Sequence, residues 1–109
     1  MNSIQIIGRL TKDPEVSTTK TGQALCRMRL AVPRPGSETE PVYIDVVAWE
    51  RLAETCGDYL TQGRQVAVSG RLDYSEWNDA EGHRHSRHEI VANTVDFLAQ
   101  AKTSGAEAG

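Results

Sequence analysis

Six Phe, Tyr and Trp residues occur in a chain of 109, so their placement carries information. Tyr43, Trp49, Tyr74 and Trp77 all fall in segments with a strand or hairpin pattern. An exposed aromatic ring on a strand offers a flat π-face on which nucleic-acid bases stack, worth ~1–3 kcal/mol per base with little sequence preference. Tyr43 and Trp49 share the side of their strand opposite its apolar side. For Trp49, base stacking and an ordinary core or subunit-interface role stand level, whereas for Tyr43 the interface role is preferred. Trp77 sits in the polar stretch SEWNDAEGHRH, which offers little core to bury it, so stacking or covering a loop is its expected role.

Arg9, Lys12, Arg27, Arg29, Arg34, Arg71, Arg84 and Arg87 fall on strand faces or loop edges. One surface arginine is ordinarily just a solvated charge. Several on one groove can follow a phosphate backbone, and Arg27 and Arg29, two apart on one strand face, are placed for that beside aromatics of the next strand.

Other chemistry finds less support. HRHSRH brings His83, His85 and His88 together, but no Cys or carboxylate at ligand spacing accompanies them, and a polar hairpin arm is the expectation, with no metal. No nucleophile elbow and no Gly-rich phosphate loop before a helix is present, so neither an enzyme nor a cofactor is expected. Cys26 and Cys56 fall on apolar faces and are expected to be buried free thiols.

These residues need elements to hold them. Alternation of period two marks SIQIIGRL, ALCRMRLAV, PVYIDVVAW, QVAVSGRLDY and SRHEIVANTV as half-buried strands. WERLAETCGDYLTQG instead repeats Leu52, Ala53, Cys56 and Leu60 at helical spacing, with Gly63 as a stop and Gly57 as a weak point. NDAEG supplies a hairpin turn, while DPEVSTTKTGQ and VPRPGSETEP read as exposed loops. Three strands, a short helix and two strands predict an all-β fold with one short helix, a five-stranded Greek-key barrel of the OB type. The barrel domain is expected over 1–100 and a flexible tail over 101–109.

Length and charge set bounds on this. A 12.0 kDa chain has room for one domain. Only 22 residues are Val, Ile, Leu or Phe, so the core is small and favours either a closed architecture or burial through self-association. The formal charge of −3 argues against a uniform coat for nucleic acid. The charge is uneven, however. Residues 1–36 carry six Lys/Arg against two Asp/Glu, residues 37–82 carry three against ten, and residues 83–109 carry three against three. No apolar run reaches membrane-spanning length, and MNSIQIIGRL has no leader pattern, so a cytoplasmic protein is expected.

Taken in order, IQIIGRLTKDPEV, the strand ending in RLAV, YIDVVAWERLAETCGDYLTQG, QVAVSGRL, the tryptophan hairpin and EIVANTVDFL resemble bacterial single-stranded DNA-binding protein over residues 1–98. The resemblance implies an OB fold assembled as a homotetramer, associated with the nucleoid, that wraps single-stranded DNA without sequence preference in replication, recombination and repair. It implies base stacking on Trp49, Trp77 and Tyr43. The residues themselves add Tyr74 as a further stacking candidate and Arg9, Arg27, Arg29, Arg34, Arg71 and Arg84 as candidate phosphate contacts. Asp73 and Glu76 stand where some members are basic, which predicts weaker phosphate attraction and a shallower salt dependence. The family's acidic tip, which recruits replication and repair proteins, has no counterpart in AKTSGAEAG: either the sequence stops short of it or this is a paralogue without it. The alternative function is an OB-fold protein-interaction module of a replication or primosome complex.

Overall fold

In the computed structural model, which describes residues 1–98, the expected alternation becomes a sheet that closes on itself. Its strands are β1 (Ile4–Leu10), β2 (Glu15–Thr18), β3 (Ala24–Arg34), β4 (Ser37–Trp49), β5 (Gln65–Asn78) and β6 (Arg84–Phe97), with the helix α1 (Glu50–Tyr59) between β4 and β5. The hydrogen-bonded order is β1-β5-β6-β4-β3-β2. A further pairing of β1 with β3, at Arg9 opposite Ala31 and Leu10 opposite Leu30, closes β1, β3, β4, β5 and β6 into a five-stranded barrel of the OB type. All pairings are antiparallel except β4 with β6.

Period-two residues fill the inside. Leu10, Cys26, Met28, Leu30, Val46, Ala48, Val66, Val68, Ile90 and Ala92 form the buried core. The helix closes one end by adding Ala53 and Cys56 to it, joined by Leu60 at the helix C-cap. In β6 the inward parity changes from Ile90 and Ala92 to Val95 and Phe97, because the register with β5 shifts between Ser69 and Gly70 and leaves Asn93 unpaired. Gly70 is buried at that irregularity. A Cβ there would overlap the Val91 carbonyl oxygen and stand 2.9 Å from Ala92 Cα. Gly57 has a similar reason to be glycine despite its helical cost, since a Cβ would overlap the Val16 side chain on β2.

Two segments expected as loops are shorter than their polar composition suggests. DPEVSTTKTGQ contains β2, which pairs with β3 from Glu15 opposite Arg27 to Thr18 opposite Ala24. It turns through Gly22 at φ 90°. In VPRPGSETEP, strand pairing runs to Arg34 opposite Ser37, leaving Pro35 and Gly36 as the turn, with Gly36 at φ 84°. Turn residues there allow tight reversal, and backbone pairing rather than side-chain burial carries the strands. The helix is also shorter than expected. It stops at Tyr59, before Gly63. The expected tail at 101–109 lies outside the described residues.

Gly70→Ala is expected to destabilise the fold by ~1–3 kcal/mol through backbone overpacking, read as a lower denaturation midpoint; an unchanged midpoint refutes the packing described. Cys26 and Cys56 are both buried and unlinked. Burial pushes the Cys26 thiol from an ordinary 9.0 up to about 11, and burial reinforced by the nearby Cys26 pushes Cys56 up to about 12. Unfolded thiols therefore ionise first as pH rises. The stability tied to keeping both protonated is complete below about pH 9 and is lost as pH rises toward 11 and 12. Denaturation midpoints from pH 8 to 11 should fall, and fall less in Cys56→Ala.

Candidate nucleic-acid interface

Strand alternation fixes which side chains reach the outside of β3, β4, β6 and β5. Register aligns Arg27 with Val47 and Val91, and Val91 with Arg71. The next row across the sheet holds Arg29, Asp45, Glu89 and Asp73. Beyond it, Arg9 stands opposite Ala31, which stands opposite Tyr43. Trp49 lies at the other end of β4, opposite Leu25. Tyr43 and Trp49 are 52% and 37% exposed, so two aromatics do share one open strand face.

Trp49 keeps its strand direction because its backbone is extended, at φ −120° and ψ 155°, although it is also the N-cap residue of α1. The chain turns only at Glu50, which adopts a left-handed φ of 56°. A non-glycine residue there costs roughly 1–2 kcal/mol. Gln23 Nε2 donates to the Glu50 carboxylate at 2.9 Å and helps hold the turn.

β5 and β6 continue as a hairpin whose residues Arg71–Asn78 are all exposed. Its tip is set by Asp79, whose Oδ1 accepts from the backbone of Glu81 at 2.9 Å and His83 at 2.8 Å, with Gly82 at φ 83°. Register places Trp77 opposite His85 and Tyr74 opposite His88. Because residues alternate, Trp77 and Tyr74 occupy opposite faces of the hairpin. Trp77 stacks on His85 at 5.6 Å and 19°, and Arg87 lies 5.4 Å from the Trp77 ring centre. Trp77 faces outward on the same side as Arg71, Asp73 and Glu89. Tyr74 packs against His88 at 4.7 Å and donates its hydroxyl to Glu76 Oε2 at 2.6 Å. Glu76 also accepts from Arg84. These two bonds, the Tyr74 hydroxyl foremost, hold the Glu76 carboxyl below its usual range.

The basic residues divide into groups. Arg27, Arg29, Arg87 and Lys12 line one shallow groove of about 190 Å³ with Glu15, Met28 and Asp45. Arg29 also lies 5.3 Å from the Tyr43 ring centre, within cation–π range. Arg9 and Arg34 line a second recess with Pro33, Pro41 and Gln65, and their guanidinium groups donate to the carbonyls of Gly63 at 3.1 Å and Glu40 at 3.0 Å. Arg84 is on the Tyr74 face. Four of the arginines are held by carboxylates: Arg27 to Glu89 at 3.0 Å, Arg29 to Asp45 at 3.1 Å, Arg87 to Glu89 at 3.9 Å, and Arg84 to Glu76.

Around the histidines the structure differs from the sequence reading. Carboxylates do accompany them: Asp79, Glu81, His83 and His85 stand at every second position along the turn, which folds them together. Donor atoms of Asp79, Glu81 and His83 lie within 4.8 Å of one another, and His85 Nε2 is 2.8 Å from Asp79 Oδ2. His85 first, then the His83 backbone, holds the Asp79 carboxyl below its usual range. The Asp79 and His85 side chains and the Glu81 and His83 backbone N–H groups serve the exposed turn, whose geometry these bonds account for.

Asp45 and Glu89 were absent from the residues singled out by type, and His85 was weighed there only as a metal ligand, not as a stacking partner of Trp77. A signal for His85 exists, since counting outward from the Gly82 turn pairs it with Trp77. Glu89 and Asp45 become neighbours only through the parallel β4–β6 pairing.

Comparison with known proteins follows the same lines. The model of the Single-strand binding protein family matches residues 1–98. A single-stranded DNA-binding protein of Caldanaerobacter subterraneus subsp. tengcongensis is 39% identical over 102 residues, covering 90% of this chain and 68% of that protein. One from Treponema pallidum is 38% identical over 113 residues, covering 99% of this chain and 64% of that protein. Single-stranded DNA-binding protein 2 of Clostridium acetobutylicum is 38% identical over 111 residues, covering 98% and 84%. With a closed barrel under an aromatic outer face and a match that spans all the described residues, the chain belongs to the single-strand binding protein family.

Proposed function

We propose that this chain binds and protects single-stranded DNA without sequence preference, in replication, recombination and repair, and that it does so as a binding protein with no catalytic step. The observation that carries the reading is the outer face on which Trp49, Tyr43 and Trp77 are exposed with Arg27, Arg29 and Arg87 between them. Bases stack on the rings, and arginines interleaved with the rings hold the phosphates. Each stacked base adds ~1–3 kcal/mol. The order along the face is Trp49, then Arg27, then Arg29 with Tyr43, and the hairpin adds Arg87 with Trp77. Arg71 continues the same side, whereas Tyr74 and Arg84 offer a second contact surface on the back of the hairpin, and Arg9 and Arg34 a recess beside Tyr43.

Self-association belongs to the same reading. β1 pairs with β3 only through Arg9 and Leu10, so Ile4–Gly8 have one strand neighbour, and Ile7 is half exposed there. A recess of about 560 Å³ adjoins it, lined by Ile6, Ile7, Ala67 and Val68 with Gln5, Ser69 and Asp96. An open strand edge beside apolar surface is where a second copy adds burial that a small core lacks. The assembly we propose is a homotetramer, acting in the cytoplasm on nucleoid DNA.

Titration with poly(dT) at low salt should quench tryptophan fluorescence, and no quenching refutes the function. Trp49→Ala and Trp77→Ala should each weaken binding by ~1–3 kcal/mol with the thermal midpoint retained, and unchanged affinity in both removes stacking from the mechanism. Native mass measurement should give four chains per particle. Ile7→Arg should shift it toward the single chain.

A further inference from the structure

We propose that Asp45 and Glu89 are built-in counter-ions of the nucleic-acid face, which lower its affinity for single-stranded DNA and flatten its dependence on salt. The inference rests on the DNA-binding reading above. It starts from an arrangement that a phosphate-binding surface does not need: the cations are already partnered. Glu89, on β6, has a side chain only 13% exposed and reaches Arg27 on β3 at 3.0 Å and Arg87 on its own strand at 3.9 Å. Asp45, on β4, takes Arg29 at 3.1 Å. Asp45 and Glu89 are direct neighbours in the parallel β4–β6 register, and Asp73 follows Glu89 in the antiparallel one. Three carboxylates therefore cross the middle of the proposed DNA path in one row.

Those carboxylates are fixed by the strands and cannot leave when DNA arrives. Each guanidinium has five donors in a rigid fork, so it can turn some of them toward a phosphate oxygen. The carboxylate then loses its partner and lies beside another anion. It is compensated by drawing a cation from solution. Nucleic acid releases about 0.7 cation for every phosphate neutralised on a single strand. Uptake at Asp45 and Glu89 opposes that release, so the net number of ions freed is smaller than the number of arginines in contact. Lys12 lies in the same groove and is subject to the same opposition from Glu15, 3.1 Å away. The row explains how a chain of net charge −3 keeps arginines on this face without making it strongly basic.

The test compares the full chain with Asp45→Asn and Glu89→Gln in binding to an oligo(dT) strand, over about 20 to 300 mM NaCl. Glu54→Gln on α1 makes the same change of net charge, and Glu54 forms no ion pair among the described residues. Both Asp45→Asn and Glu89→Gln should tighten binding at low salt by about twofold to tenfold and give a steeper log–log salt slope, by up to roughly one ion. Glu54→Gln should change neither by as much. Weaker binding or a shallower slope in a folded Asp45→Asn overturns the proposal, because the carboxylates then act to position the arginines. An equal gain from Glu54→Gln also overturns it, because net charge alone is then the cause. Thermal melts identify a variant that has not folded, and Asp45→Asn, the more exposed of the two, decides the matter if Glu89→Gln fails. A parent chain that does not bind oligo(dT) at any salt overturns the DNA-binding function itself. A parent that binds, with both variants unchanged, overturns only this inference.

Discussion

Closure of the sheet between β1 and β3 is the contact on which the rest depends. The pairs Arg9 with Ala31 and Leu10 with Leu30, extended by the Thr11 N–H donated to the Arg29 carbonyl at 2.9 Å, are a short contact, yet it turns an open sheet into a barrel. Once closed, the sheet has an inside, and alternation sends every second side chain there. That is how a chain with 22 large aliphatic and Phe residues fills a core. The same closure puts Tyr43, Trp49, Arg27 and Arg29 on the outside, where no core remains to cover them. The helix completes the interior from one end, bringing Cys56 close enough to Cys26 for each thiol to be buried in the same cluster.

Electrostatics on the outer face are local. Ten acidic residues between 37 and 82 outweigh the arginines in the total, but total charge is not what a bound strand meets. Within the groove the strand meets Lys12, Arg27, Arg29 and Arg87 together with Glu15 and Asp45, and the pairs Lys12–Glu15 and Arg29–Asp45 stand 3.1 Å apart, well inside the Debye length at physiological salt. At such distances pairing decides the potential. A face whose cations are already paired favours stacking as the main source of affinity, and the exposed rings supply it. Glu76 shows how an acid reads differently once placed. It stands in sequence beside Trp77, but alternation puts it on the other face, where Tyr74 and Arg84 hold it. Asp73 stays on the Trp77 side and joins the acidic row.

Most of the architecture was legible because alternation is a local signal. The faces of β1, β3 and β4, the helix with Ala53 and Cys56 inward, the Asp79–Gly82 turn and the two free thiols all follow from spacing within short windows. Misreadings arose where backbone pairing, not side-chain burial, decides. All four residues of β2 are exposed, so no apolar pattern announces a strand. The polar residues after Arg34 likewise hide a two-residue turn. In β6 the inward face changes at Asn93, and only pairing with Gly70 reveals why.

By itself the sequence determined the fold class, the inward and outward sides of β1, β3 and β4, and the aromatic and arginine residues available on the outside. Residue type and period two carry that information along the chain. Only the tertiary structure decided which of these residues meet. It brought Glu89 to Arg27 across 62 positions, stood Asp45 beside Glu89, folded Asp79 back to His85, and separated Tyr74 from Trp77 by the thickness of one strand. Charge pairing and stacking act over a few ångströms of space, and distance along the chain says nothing about them until strand register and closure are fixed.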